Sequence, residues 1–97
     1  MKEAQIRKLA VEILTKQGYA VWWPPRVKYR AEGDIFGIAD LIISNRQGIK
    51  LIQLTTLSNV SARRKKIQKA LENMELGCPI EIWGLAKDKT FKIIRIY

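Results

Sequence analysis

The sequence predicts an α/β fold of order αβββαββ, a sandwich in which a mixed sheet is flanked by two helices, and three observations predict it. Apolar residues recur at helical spacing near the start and again after residue 59. Short apolar runs stand between these stretches and at the end, and glycine, proline or polar turn residues separate every run. With 97 residues the chain forms one domain, 1–97, and buries roughly 60–65% of the surface exposed by its unfolded form, enough for one core without staples.

Ile6, Leu9, Ala10, Ile13 and Leu14 repeat at intervals of three and four, which predicts an amphipathic helix over residues 2–17 that Gly18 ends. Residues 19–23 read as a strand stopped by Pro24 and Pro25. Residues 24–36, with Arg26, Lys28 and Arg30 and then Glu32-Gly33-Asp34, read as an extended, exposed connection, paired in part at most. Two apolar strands follow, 38–44 and 49–55, joined through Asn45-Arg46-Gln47-Gly48 and placed centrally in the sheet. Ser58-Asn59-Val60-Ser61 supplies N-cap candidates for a second helix with the stripe Val60, Ile67, Ala70, Leu71 and Met74, closed by Gly77 and Pro79. Residues 79–85 and 90–97 are the closing strands around a polar turn at 86–89.

Eighteen Lys and Arg against nine Asp and Glu give a net charge of +9, which makes a polyanion the first partner to consider. Nucleic acid is the expected polyanion, and affinity is expected to fall steeply with salt. There is no histidine, which removes imidazole bases and the usual histidine-containing zinc sites. A metal would therefore sit on oxygen ligands, which suits Mg2+ or Mn2+. Cys78 stands alone and is expected to fill core space. No apolar run is long enough for a membrane span, and Met1-Lys2-Glu3-Ala4-Gln5 does not look like a secretion signal, so a cytoplasmic protein is expected.

The loop length of the hairpin sets its register. With a loop of two residues (46 and 47) or four (45–48), opposed positions sum to 93 and Asp40 lies across from Gln53. Leu51, Gln53 and Thr55 then share one sheet face, and Ile52 and Leu54 take the other. An acid, an amide and a hydroxyl thus converge among Ile, Leu and Ala, where an unpaired carboxylate costs several kcal/mol, on the order of the penalty for any buried charge. Two readings of that pair stay open: a functional site, or a local hydrogen bond between Asp40 and Gln53 near the sheet rim.

Gly37-Ile38-Ala39-Asp40-Leu41-Ile42, the hairpin, Leu51-Ile52-Gln53-Leu54-Thr55 and the basic helix that follows resemble the PD-(D/E)XK nuclease superfamily, which includes restriction-like enzymes and archaeal-type Holliday junction resolvases. Lys16-Gln17-Gly18-Tyr19-Ala20-Val21 is similar to the opening of such resolvases. The stretch from Gln53 to Arg63, with Trp83-Gly84, is similar to a divergent phage-associated subgroup. The resemblance implies a restriction-endonuclease-like fold and Mg2+- or Mn2+-dependent cleavage of DNA phosphodiesters. It implies metal ligands at Asp40, Gln53 and the Leu54 carbonyl, with Gln53 standing where the family has an acid and Thr55 where it has a lysine.

Those two departures set further expectations. The catalytic set is Asp40, Gln53, Thr55 and a replacement cation from the following helix, Lys66 or Arg63. Glu32 or Asp34 could replace the lost acid, and Glu3 is the nearest substitute for the first-helix glutamate of resolvases, whose place is taken by Arg7. Arg63, Arg64, Lys65, Lys66 and Lys69 are expected to bind DNA phosphates; Arg26, Lys28 and Arg30 either do the same or protect an edge strand from aggregation by their charge. Replacing Asp40 by alanine is expected to leave folding largely intact. Trp22 and Trp23 suggest base stacking, yet neighbouring strand residues face opposite ways, so at most one is expected to be exposed while the other joins the core, as does Trp83. Three functions follow from this reading: a DNA endonuclease acting as a homodimer on branched or phage DNA in a prokaryotic or host cytoplasm, a catalytically inactive DNA-binding module, or a structural domain with incidental charge.

Overall fold

The computed structural model describes residues 3–24 and 35–96, without the side chain of Glu3. Arg26, Lys28, Arg30, Glu32 and Asp34 lie outside the described residues. The elements are α1 (Glu3–Lys16), β1 (Ala20–Trp22), β2 (Leu41–Asn45), β3 (Gly48–Thr56), a 3-10 turn (Leu57–Asn59), α2 (Val60–Leu71), β4 (Ile80–Leu85) and β5 (Phe91–Arg95). They form one five-stranded sheet in the order β1-β2-β3-β4-β5. The β3–β4 pair is parallel and the other pairs are antiparallel. The predicted mixed sheet with two helices is therefore observed. No helix among the described residues is long and apolar enough to cross a membrane.

Helix α1 ends as its glycine predicts. Gly18 adopts φ +90, its N–H donates to the Thr15 carbonyl at 3.0 Å, and the Tyr19 N–H donates to the Leu14 carbonyl at 3.1 Å. That pair of bonds satisfies carbonyls the helix leaves open and needs the left-handed backbone that glycine allows. Ile6, Ala10 and Leu14 pack against Leu41, Ile43, Ile52, Leu54, Trp83 and Leu85 on one face of the sheet. On the other face Val60 and Ile67 of α2 pack with Leu51, Ile80, Ile82, Ile38 and Ala39. Strand β3 is thus covered on both sides, and residues 51–55 are all buried.

The crossover helix lies very close to the sheet. A Cβ on Gly84 would stand 2.6 Å from Val60 Cγ2 and 3.3 Å from the Leu57 Cα, so the glycine is what lets α2 begin directly over β4. Helix α2 ends at Leu71, short of Met74, but Met74 and Leu76 still pack against the same core. Its N-cap is Asn59, which makes no side-chain capping bond.

The hairpin has the two-residue loop, with Asn45 paired to Gly48, Leu41 to Ile52 and every pair summing to 93. Asn45 Oδ1 accepts the Gln47 N–H at 2.8 Å, and Gly48 supplies a φ of +128. Strand β2 begins at Leu41, three residues later than its apolar run suggests. Residues 35–39 instead fold into a tight turn: the Ile38 N–H donates to the Ile35 carbonyl at 3.0 Å, and Phe36 and Gly37 have φ values of 54 and 72. Two successive positive φ values are the signature of a type I′ turn, which diverts the chain just before Asp40.

Candidate active site

Asp40 and Gln53 meet just beyond the end of the β2–β3 ladder. Gln53 Nε2 donates to Asp40 Oδ2 at 2.7 Å and to its neighbour's carbonyl, Leu54 O, at 3.1 Å. The same Asp40 Oδ2 accepts the Leu54 backbone N–H at 2.8 Å. Gln53 and Thr55 are buried, and Asp40 is half-buried. The contact that sequence geometry places on one sheet face is present.

The reason for this pattern lies in the turn that precedes it. In a register of 93, the partner of Leu54 is Ala39. Ala39 is engaged elsewhere, because its N–H donates to the Ile35 carbonyl at 3.1 Å and its carbonyl accepts the Ile35 N–H at 2.8 Å. Leu54 would then have both backbone groups buried without a strand partner, at a cost of about 1–3 kcal/mol for each. The Asp40 carboxylate takes the place of the missing carbonyl and the Gln53 amide takes the place of the missing N–H. The two side chains rebuild one rung of the sheet.

The same geometry bears on a divalent cation. Asp40 Oδ2 and Leu54 O, two of the oxygens assigned to a metal, both lie within hydrogen-bond distance of one atom, Gln53 Nε2. A positively polarised N–H group therefore occupies a point on which a carboxylate and a carbonyl converge. If the amide turned over, Gln53 Oε1 would become a third oxygen at that point. One carboxylate with two neutral oxygens suits a weakly held Mg2+ or Mn2+ that completes its shell with water and phosphate oxygens. Among the described residues, no group of three His, Cys, Asp or Glu side chains is placed to hold a metal. Glu32 and Asp34, the proposed extra acids, and Glu3 are among the side chains outside the description.

Thr55 lies two residues along β3 from Gln53, on the same face and beside Gly84 of β4. On α2, Arg63 is half-buried, while Arg64, Lys65, Lys66 and Lys69 are exposed. Helical spacing puts Arg63, Lys66 and Ala70 along one flank of the helix and Lys65 with Lys69 on its outer side. A separate cleft of about 910 Å3 lies off the C-terminal ends of β3 and β4, lined by Thr56, Ser58, Leu85 and Lys87 among others. It includes neither Asp40 nor Gln53. In the adjoining turn, Asp88 accepts the Thr90 hydroxyl at 2.7 Å and the Thr90 N–H at 3.1 Å, and these bonds hold its carboxyl below the usual carboxylate range.

Trp83 is buried as expected, but Trp22 and Trp23 are both exposed, at 53% and 38%. Strand β1 is a three-residue edge strand, so Trp23 already lies past its end, where Arg7 of α1 stacks its guanidinium 5.5 Å from the ring centre. Phe36, to which the sequence reading gives no role, is 64% exposed in the turn before Asp40. The adjacent Gly37 was the only sequence mark of that turn.

No protein-family model matches the chain, and no curated protein matches it. Among solved structures, the chain is similar to Hjc, a Holliday junction resolvase from Archaeoglobus fulgidus, an archaeal hyperthermophile. The TM-score is 0.61 at 11% identity, over 96% of this chain and 76% of the resolvase. The five-stranded mixed sheet with its two helices is thus the restriction-endonuclease-like fold of that resolvase.

Proposed function

We propose that the chain is a divalent-metal-dependent DNA endonuclease. The observation that carries this reading is the convergence of Asp40 Oδ2 and Leu54 O on one cation-like point, at the motif position of a chain with a resolvase fold. The +9 charge and the cations of α2 support DNA as the substrate.

In this reading Asp40 and Leu54 O, with Gln53 turned to present its Oε1, hold Mg2+ or Mn2+. When bound, the metal would polarise the scissile phosphate and lower the pKa of a water. Asp40 supplies the described site's carboxylate, so it sets the site's affinity for a cation. Gln53 adds an oxygen but no charge, which makes binding depend on phosphate oxygens from DNA. Thr55 cannot supply the cation that a lysine would, so Lys66 or Arg63 stabilises the charge that develops on the phosphate. Arg64, Lys65 and Lys69 bind flanking phosphates, with Arg26, Lys28 and Arg30 from the preceding segment. Glu32, Asp34 and Glu3 are the accessory acids. A symmetric dimer, branched or phage DNA and a cytoplasmic setting in a prokaryote or its virus belong to the same reading.

A second reading, a DNA-binding module without cleavage, is favoured by one observation: the Gln53 amide already satisfies both oxygens. A cleavage assay with Mg2+ and Mn2+ on linear, single-stranded, flapped and four-way DNA separates the two. The endonuclease reading expects metal-dependent products on at least one substrate. Salt-sensitive binding without products on any of them would favour the module.

A further inference from the structure

Resting on the proposal that the chain acts on DNA, we infer that Trp22 and Phe36 form a stacking platform for unpaired bases beside Asp40, so that the preferred substrate is DNA with unpaired nucleotides.

Trp22 pairs with Ile42, and Ile42 pairs with Leu51. Opposed residues in antiparallel strands share a face, so Trp22 stands on the face that carries Leu51 and Gln53, whose amide contacts Asp40. Asp40 is two residues from Ile42 and immediately precedes β2, the strand that pairs with Trp22. The indole is 53% exposed there. Val21 takes the opposite face and packs against the α1 core, as the alternation requires.

Phe36 presents a second exposed ring, in the turn that ends just before Asp40. Its φ of 54 is a conformation that a bulky residue adopts only under strain, and the first central position of a type I′ turn ordinarily holds Asn, Asp or Gly. At 64% exposure the ring gains little from burial. Neither the turn nor the core accounts for a phenylalanine at this position. A stacked base would, since every base offers a π-face and the platform needs no sequence preference.

Bases inside a duplex are already stacked and cannot reach such rings without being extruded. DNA with a flap, a bulge or a single-stranded end offers them directly. The net charge of +9 draws in the backbone, and the two rings then select strands whose bases are free.

The test uses the full chain and two DNA probes at low salt, one a fully paired duplex and the other a flap with 2-aminopurine in its unpaired arm. The wild type should bind the flap more tightly and quench its fluorescence. Trp22→Ala should weaken flap binding about 5- to 100-fold and abolish the quench, with less than about twofold change on duplex, and Trp22→Phe should recover most of the loss. Phe36→Gly relieves the strained turn, so it should raise thermal stability while weakening flap binding. Ile93→Ala, on the far edge strand, should change neither. Equal losses on duplex and flap, or no loss on either, would overturn the platform while leaving DNA action intact. A wild type that binds neither DNA would overturn both.

Discussion

The Asp40 carboxylate lies 2.8 Å from the Leu54 backbone nitrogen, in the place that the sheet register assigns to the Ala39 carbonyl. Asp40 is therefore part of the sheet's hydrogen bonding, whatever else it does. This corrects the expectation that alanine there would leave folding largely intact. Asp40→Ala removes the acceptor of two donors, the Leu54 N–H and the Gln53 amide, and should destabilise the protein by about 2–4 kcal/mol. Asp40→Asn keeps an acceptor for Leu54 and should cost about half as much. Urea unfolding of both variants checks the order.

Gln53→Glu should have opposite effects with and without metal. Without metal, a second carboxylate would face Asp40 Oδ2 where an N–H donor now sits, and like charges this close disfavour both being ionised. The folded-state pKa of the pair would rise above its unfolded value. The pair's contribution to stability should then be fully present only below the unfolded pKa and be lost as pH rises through the folded pKa. Mg2+ or Mn2+ should restore what is lost, because the cation takes the place of the N–H. Thermal unfolding at several pH values, with and without metal, reads both effects. The wild type should show a much smaller rise in Tm with metal.

The close approach of α2 to the sheet predicts that Gly84→Ala is destabilising by about 1–3 kcal/mol, because the new methyl group would meet Val60 Cγ2 at 2.6 Å. Shortening the opposing side chain should relieve part of the clash. A double-mutant cycle of Gly84→Ala with Val60→Ala should therefore show a loss smaller than the sum of the two single losses.

Much of this arrangement is legible in the sequence for definite physical reasons. Helical spacing in residues 6–14 and Gly18 locate α1 and its end. The turn residues Asn45-Arg46-Gln47-Gly48 suit a loop of two or four residues, and either length gives a register in which Asp40 faces Gln53. The direction of the Gln53 amide is not legible, since it depends on the Ile35–Ala39 bridge having consumed the Ala39 groups, a contact made outside the hairpin. That same turn is why β2 starts at Leu41 although its apolar run begins earlier. The exposure of both Trp22 and Trp23 was hidden for a different reason. Strand alternation says which way a side chain points, but not whether a three-residue edge strand has anything packed over it.

The endonuclease reading is tested most directly by Asp40→Asn, assayed beside the wild type for DNA binding and for cleavage with Mg2+ or Mn2+. The substitution keeps a hydrogen-bond acceptor for Leu54 but removes the carboxylate from the point where the oxygens converge. If that reading holds, the wild type cleaves only when metal is present, and Asp40→Asn binds DNA with affinity within about threefold of wild type yet loses at least about 100-fold in cleavage rate. Cleavage that survives in Asp40→Asn, or that proceeds in the wild type with all divalent metal chelated, would contradict it.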